Sequence, residues 1–180
     1  VAYVDSLHGA PSALLDYKMA LAVIIKLVST GPKSSFSLKS TKNNSVFWIN
    51  PKKWAFSKSD DGNEAAEYNF QLRGKDLYAM AITEEITIDI ENLAQIALEN
   101  AREAAPNARI TKREYRIVNG NKVIFQQMEG TIQGINFTYL GYYYSNDTGS
   151  TQYLTYTATS LVSKYRTKIN GFLNGFANKL

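Results

Sequence analysis

Two periodicities organise the 180 residues of this chain. From Ser12 onward, Leu14, Tyr17, Leu21, Ile24, Ile25 and Val28 recur close to every 3.6 residues, a spacing that gathers them on one face of a helix. Pro11 suits the start of that helix, Ser12 or Asp16 its first turn, and Gly31-Pro32 its end. The pattern predicts a helical arm over residues 1–32, ahead of a single domain over 33–180.

After a Lys/Ser/Thr/Asn-rich stretch at 33–45, which reads as a linker or a short edge strand, the period falls to two. Ser45 to Asn50, with Val46, Phe47, Trp48 and Ile49, reads as a short buried strand, Pro51-Lys52-Lys53 as a turn and Trp54 to Phe56 as the start of a second strand. Ser59 to Asn63 has the residues of a hairpin turn. Glu64 to Arg73 alternates, with Ala66, Tyr68, Phe70 and Leu72 on one face. Asp76 to Thr83 is apolar on both faces, as expected of a central strand covered on both sides.

Asp89 then offers an N-cap to a helix carrying Leu93, Ile96, Ala97 and Ala101, which Pro106-Asn107 ends. A meander follows: Arg109 to Val118, Lys122 to Ile132, Ile135 to Ser145 and Thr151 to Thr159. Asn119-Gly120, Gln133-Gly134 and Asn146-Asp147-Thr148-Gly149 supply its turns. Thr159 or Ser160 would cap a final helix with Leu161, Tyr165, Ile169, Phe172, Leu173 and Phe176 on one stripe. The order predicts an α+β fold, an antiparallel sheet flanked by helices.

Composition limits the chemistry. Cysteine is absent, which excludes disulfides, thiolate metal sites and thiol catalysis. His8 is the single histidine, so a His-rich metal centre or a Ser–His triad is hard to build. No apolar run approaches the roughly 20 residues needed to span a bilayer as a helix. The chain opens on Val1, as expected of a processed protein or a piece of a longer one, and a removed leader or lipid anchor fits that reading. Net charge is +4, and after Asp147 there is no acidic residue, while Lys164, Arg166, Lys168 and Lys179 are basic. That is a solvated helix face, or a contact for an acidic protein or an anionic membrane surface. Charges so few and so spread do not argue for nucleic acid.

Several clusters invite a functional reading beside a plain one. Tyr139, Tyr142, Tyr143, Tyr144, Tyr153 and Tyr156 are either cross-strand packing or an aromatic groove for a peptide or apolar ligand. Alternation puts Tyr142 and Tyr144 on one face of their strand, and Tyr139 and Tyr143 on the other. Glu84, Glu85, Asp89 and Glu91 are either helix-start electrostatics or carboxylates for acid–base work or Ca²⁺. Asp60-Asp61-Gly62-Asn63 is a turn or a fragment of a calcium loop. Lys112, Arg113, Arg116 and Lys122 are a charge-protected sheet edge or a contact for an anion or an acidic partner. Three glycosylation triplets begin at Asn43-Asn44, Asn136 and Asn146, the second inside an expected strand. No glycine-rich run precedes a helix, so a phosphate loop is not indicated.

One run of motifs is familiar. A short strand enters a Pro-x-x-Trp turn (Trp48-Ile49-Asn50-Pro51-Lys52-Lys53-Trp54). Further strands, one helix and a meander with Val118-Asn119-Gly120 and Gly141-Tyr142-Tyr143-Tyr144 follow, closed by a helix ending in Phe172-Leu173. Over residues 45–177 this resembles the PsbP-like fold, a group with the extrinsic photosystem protein, a nuclear Ran-binding factor and many bacterial secreted or lipid-anchored proteins. The resemblance implies an α/β/α sandwich, here with an extra N-terminal helix, and a binding or assembly role without a catalytic signature. No metal-ligand motif carries over from the photosystem branch.

The expectation is therefore a non-enzymatic binding or accessory module, periplasmic, secreted or cell-envelope. It would contact a protein or peptide through a sheet face or aromatic groove. Its candidate binding residues are Tyr139, Tyr142, Tyr144, Tyr153, Tyr156, Arg113 and Arg116. No catalytic residue, metal, cofactor or nucleic-acid partner is expected, and peripheral membrane contact is compatible. The alternative is a small-molecule or lipid-binding protein or enzyme, which would need Glu84 or Glu85 near Lys or Tyr in a closed pocket. A third reading is a chaperone for apolar segments, covered by the N-terminal helix.

Overall fold

The computed structural model describes residues 25–28, 36–59 and 65–179. Its elements are β1 (Ile25–Val28), β2 (Phe36–Lys39), β3 (Ser45–Ile49), β4 (Trp54–Lys58), β5 (Tyr68–Leu72) and β6 (Tyr78–Glu84). There follow α1 (Ile90–Ala104), β7 (Arg109–Val118), β8 (Asn121–Ile132), β9 (Ile135–Asn146) and β10 (Gly149–Ala158). A 3-10 turn (Thr159–Leu161), α2 (Val162–Leu173) and β11 (Phe176–Asn178) close the chain.

The meander forms because its turns twist the right way. Asn119 and Gly120 have φ of 48° and 81°, and Gln133 and Gly134 have 50° and 79°. Positive φ at both central residues matches the right-handed twist of the flanking strands, so β7, β8 and β9 pair directly. An eight-stranded sheet results, ordered β1-β7-β8-β9-β10-β6-β5-β4, and every pair is antiparallel except β1 with β7. β2, β3 and β11 form a separate three-stranded sheet.

The sequence pattern and the structure part company at three places. Residues 25–28, expected inside the N-terminal helix, are a strand paired in parallel with Tyr115 to Val118. Ile25 and Val28 are β-branched and suit a strand as well as a helical stripe; the rest of the expected helix lies outside the described residues. The final helix stops at Leu173, and Phe176 belongs to β11, not to the helical stripe. Thr159 and Ser160 do not cap that helix with their side chains; they lie in the 3-10 turn, and Thr159 Oγ1 sits 2.9 Å from Thr138 Oγ1. Of the expected helix–sheet–helix sandwich the structure shows antiparallel sheets with two helices. The described residues are mostly strand, and the layer holding α2 is completed by the three-stranded sheet.

Alternation along β8 and β9 sends side chains to two separate cores. On one face Leu93, Ala94, Ala97 and Leu98 of α1 bury Ile124, Met128 and Tyr143. On the other, α2 and the three-stranded sheet bury Phe125, Leu140, Tyr142 and Tyr153. Asp89 caps α1, accepting the backbone N–H groups of Glu91 and Asn92. Gln126, fully buried on the α1 face, donates to the Ala94 carbonyl at 2.8 Å and fixes the helix on the sheet.

The smaller sheet is held to the larger one by polar groups. The Glu67 carboxylate, buried beside β5, accepts from Ser40 Oγ at 2.8 Å, from Thr41 N and Oγ1 at 2.7 Å each, and from Thr83 Oγ1. Ser45 and Thr151 share a further hydrogen bond at 2.7 Å. Gly175 joins α2 to β11, and its carbonyl accepts the Trp48 N–H at 2.9 Å. A Cβ there would stand 2.0 Å from the Trp48 oxygen, so only glycine fits.

Two predictions follow from these contacts. Gly175→Ala should cost about 2–3 kcal/mol, whereas Gly171→Ala, with nothing within 4 Å on the exposed side of α2, should gain about 0.5–1 kcal/mol. Urea unfolding of both variants checks the contrast. Burial works to raise the pKa of Glu67, but its hydrogen bonds outweigh this and hold it below the ordinary 4.5. Its folded pKa is thus lower than its unfolded one, so its stabilisation is present above about pH 4.5 and is lost as pH falls through the lower folded value. Glu67→Gln should cost about 2 kcal/mol near pH 7, and the gap to wild type should narrow below pH 4.5 in pH-resolved thermal melts.

Candidate binding surface

The tyrosines of the meander are divided between the two faces by strand alternation. Tyr142 and Tyr153 pair directly and point beneath α2, where they are 1% and 0% exposed. Tyr144 shares that face at its rim, half-buried, its ring 5.3 Å from Phe176. These three are packing residues of the core or its margin. Tyr139 and Tyr156 pair across β9 and β10 on the opposite face.

On that face α1 packs over β8 and β9. Beyond the contacts of α1 with β8 and β9 the same face continues over β10, β6, β5 and β4, where Gln152 and Leu154 are buried. There Tyr78, which pairs with Tyr156, completes a row of three rings across three adjacent strands. Ring centroids are 5.7 Å apart for Tyr139 and Tyr156, and 5.6 Å for Tyr156 and Tyr78, the latter pair stacked. All three are half-buried, as are Met80 and Ile82 on the same face of β6. Burial raises the pKa of the Tyr139 hydroxyl, and burial followed by Tyr139 and Tyr78 raises that of Tyr156. Both stay neutral at physiological pH and can donate as well as accept.

Tyr78 was not among the residues singled out from sequence. The signal was there in β6, which is apolar on both faces, with Tyr78, Met80 and Ile82 half-buried on the α1 side.

The two arginines do not converge. Arg113 lies on the α1 face and donates to Gln126 Oε1 at 2.7 Å, bracing the side chain that anchors α1. Arg116 lies on the α2 face, 7% exposed, with its guanidinium 3.7 Å from the Phe125 ring centre. It donates to Glu114 at 2.7 Å and to the Tyr142 hydroxyl at 3.2 Å; that hydroxyl donates onward to Asn174 Oδ1 at 2.7 Å. Arg116 therefore belongs to a buried polar chain linking β7, β9 and the end of α2.

The carboxylate cluster is also occupied structurally. Asp89 caps α1, Glu91 accepts from the Tyr115 hydroxyl, and Glu84 and Glu85 are exposed. Residues 60–63 lie outside the described residues. Asn107, Arg109, Glu129, Gly130, Thr131, Asn136 and Thr159 line a polar cleft of about 140 Å³, in which Arg109 and Glu129 are 3.5 Å apart. That volume is well under the roughly 300 Å³ at which small-molecule sites begin. Among the described residues no group of three acidic or histidine side chains is placed to hold a metal ion.

No family model matches the sequence, and no curated protein does. Solved structures do match in fold. Cyanobacterial PsbP from Synechocystis superposes with a TM-score of 0.63 at 13% identity, over 84% of this chain and 96% of that one. LpqN of Mycobacterium tuberculosis, involved in cell envelope biogenesis, gives 0.55 at 10% identity, over 81% and 90%. A Pseudomonas aeruginosa protein of unknown function gives 0.50 at 9% identity, over 81% and 97%. The fold is PsbP-like, as the motif order implied.

The division of the tyrosines can be measured. Tyr142→Ala, which empties a core position and breaks the Arg116 chain, should cost about 3–5 kcal/mol. Tyr156→Ala, at a half-buried position, should cost about 1 kcal/mol. Chemical unfolding with equal m-values for both variants is the check.

Proposed function

We propose, starting from the PsbP-like fold, that this chain is a non-enzymatic accessory module that engages a protein or peptide through the part of its α1 face formed by β9, β10 and β6. The observation that carries the reading is the row Tyr139, Tyr156 and Tyr78, flanked by Met80 and Ile82. Tyrosine brings large contact area with few rotors to freeze, and a hydroxyl that can satisfy a partner's backbone. Rings packed against one another across paired strands lose still less freedom on binding.

The neighbours support the same reading. One is cyanobacterial PsbP, and another is involved in cell envelope biogenesis. An extracytoplasmic location for this chain fits both, and the absence of cysteine is compatible with it. The row crosses three adjacent strands of one sheet face, which suits a macromolecular partner better than a small molecule. No observation favours the enzyme alternative.

Photo-crosslinking tests the surface. A benzoylphenylalanine placed at Tyr156 should give one discrete protein adduct in native extract, lost when Tyr78 and Tyr139 are changed to Ser. The same probe at Gln95, on the exposed side of α1, should not give that adduct. Equal adducts at both positions, or none at Tyr156, would remove the tyrosine row as the contact.

A further inference from the structure

Charge in this protein is sorted by layer. Segments 36–59 and 159–179 build or border the cover of the α2 face, and together they hold nine lysines and arginines and no aspartate or glutamate. All nine are exposed. The three ion pairs among the described residues all lie on β7 and β8, so none of the nine is neutralised there. Residues 84–104, which lead into and form α1 on the opposite face, hold six acidic residues and one arginine. The acidic residues are likewise exposed.

Within the basic layer like charges crowd together. Lys39 ends β2, opposite Val46, and Lys179 follows β11 on the other side of β3. Lys39 lowers the pKa of Lys179, first by a hydrogen bond and then by its charge. Lys164, Arg166 and Lys168 add to the same layer from the exposed side of α2. Aromatic rings accompany the charges. Trp48 is half-buried in β3, and Phe36 and Phe56, 5.7 Å apart, are exposed at the rim.

We propose that this basic layer docks the protein onto an anionic lipid surface, with the acidic α1 layer turned away from it. The positive groups are spread across a layer parallel to the sheet, not gathered in a groove, so they match an extended surface better than a strand of nucleic acid. Aromatic residues among lysines suit the headgroup region, where rings seat and cations meet phosphate. The opposed acidic layer adds an orienting torque, since every turn away from the basic-side-down pose brings carboxylates toward negative headgroups. A second copy offering its acidic layer would match the charges too, but that contact joins two different faces, so copies would chain in proportion to their concentration. The docked pose leaves the tyrosine row facing away from the lipid, although the docking does not depend on that row.

Vesicle flotation tests the proposal. The probes are vesicles of phosphatidylcholine alone and of phosphatidylcholine with phosphatidylglycerol, at about 0.05 M and about 0.5 M salt. The expected result is binding only with phosphatidylglycerol, lost at the higher salt. Lys39→Glu with Lys179→Glu, and separately Lys164→Glu with Lys168→Glu, should each weaken it on the order of tenfold or more. Glu99→Lys with Glu103→Lys should leave it equal or stronger. All these positions are exposed, and a matching melting temperature confirms that each variant folds. Equal binding to neutral vesicles would overturn the proposal, as would anionic binding indifferent to both lysine reversals. Failure to float, with charge-sensitive binding to a single-stranded oligonucleotide or concentration-dependent chaining instead, would overturn it in favour of that partner.

Discussion

The ring of Tyr153 lies between two others, stacked 4.8 Å from Phe47 and 4.6 Å from Phe172. Tyr153 belongs to β10, in the interior of the main sheet; Phe47 comes from the three-stranded sheet and Phe172 from α2. One side chain thus sets the positions of both parts of the cover. Around it Phe70 meets Tyr153 edge-on, Trp54 meets Phe172, and Phe176 meets Phe47. The Tyr153 hydroxyl has no hydrogen-bond partner among the described residues, and burial raises its pKa well above the usual tyrosine value. The ring's contacts outweigh that unpaired hydroxyl, which costs on the order of 1–3 kcal/mol.

What could be read beforehand was whatever a local pattern determines. Asn119-Gly120 and Gln133-Gly134 have turn chemistry that hardly depends on context, and the meander bounds came within a residue or two. Asp89 announced its helix in the same way. Residues 25–28 and Phe176 were misplaced because their side chains fit two periods, and the choice is made by partners far away in sequence. The division into two sheets was hidden for the same reason. Nothing within Ser45–Ile49 says that it pairs with 36–39 and 176–178 and not with the strand that follows it.

The candidate surface was legible in kind and not in membership. Alternation alone separates Tyr142 from Tyr139, but it cannot say which face a helix will cover. That depends on where α1 packs, which is chiefly over β8 and β9. Tyr142 and Tyr153 went to the α2 face; Tyr139 and Tyr156 went to the other, where Tyr78 joins them. Arg116 looked like a surface cation and is buried, because Phe125, Glu114 and Tyr142 together supply a face, a charge and an acceptor for it. The two faces now differ in character: one buries its aromatics under a basic cover, and the other shows a row of rings beside an acidic helix.

The pairing of β11 with β3 also governs when the molecule can become whole. Residues 176–178 lie against 45–47, and the Gly175 carbonyl takes the Trp48 N–H, so more than a hundred residues separate partners in one small sheet. Such a pairing forms late, because the intervening loop must be closed before any contact rewards it. On a ribosome the meander and α1 can settle while Phe47, Tyr153 and Trp54 still lack Phe172 and Phe176 above them. Until those last rings emerge the nascent chain carries an open aromatic face, and it is during that interval that it most needs protection from its neighbours.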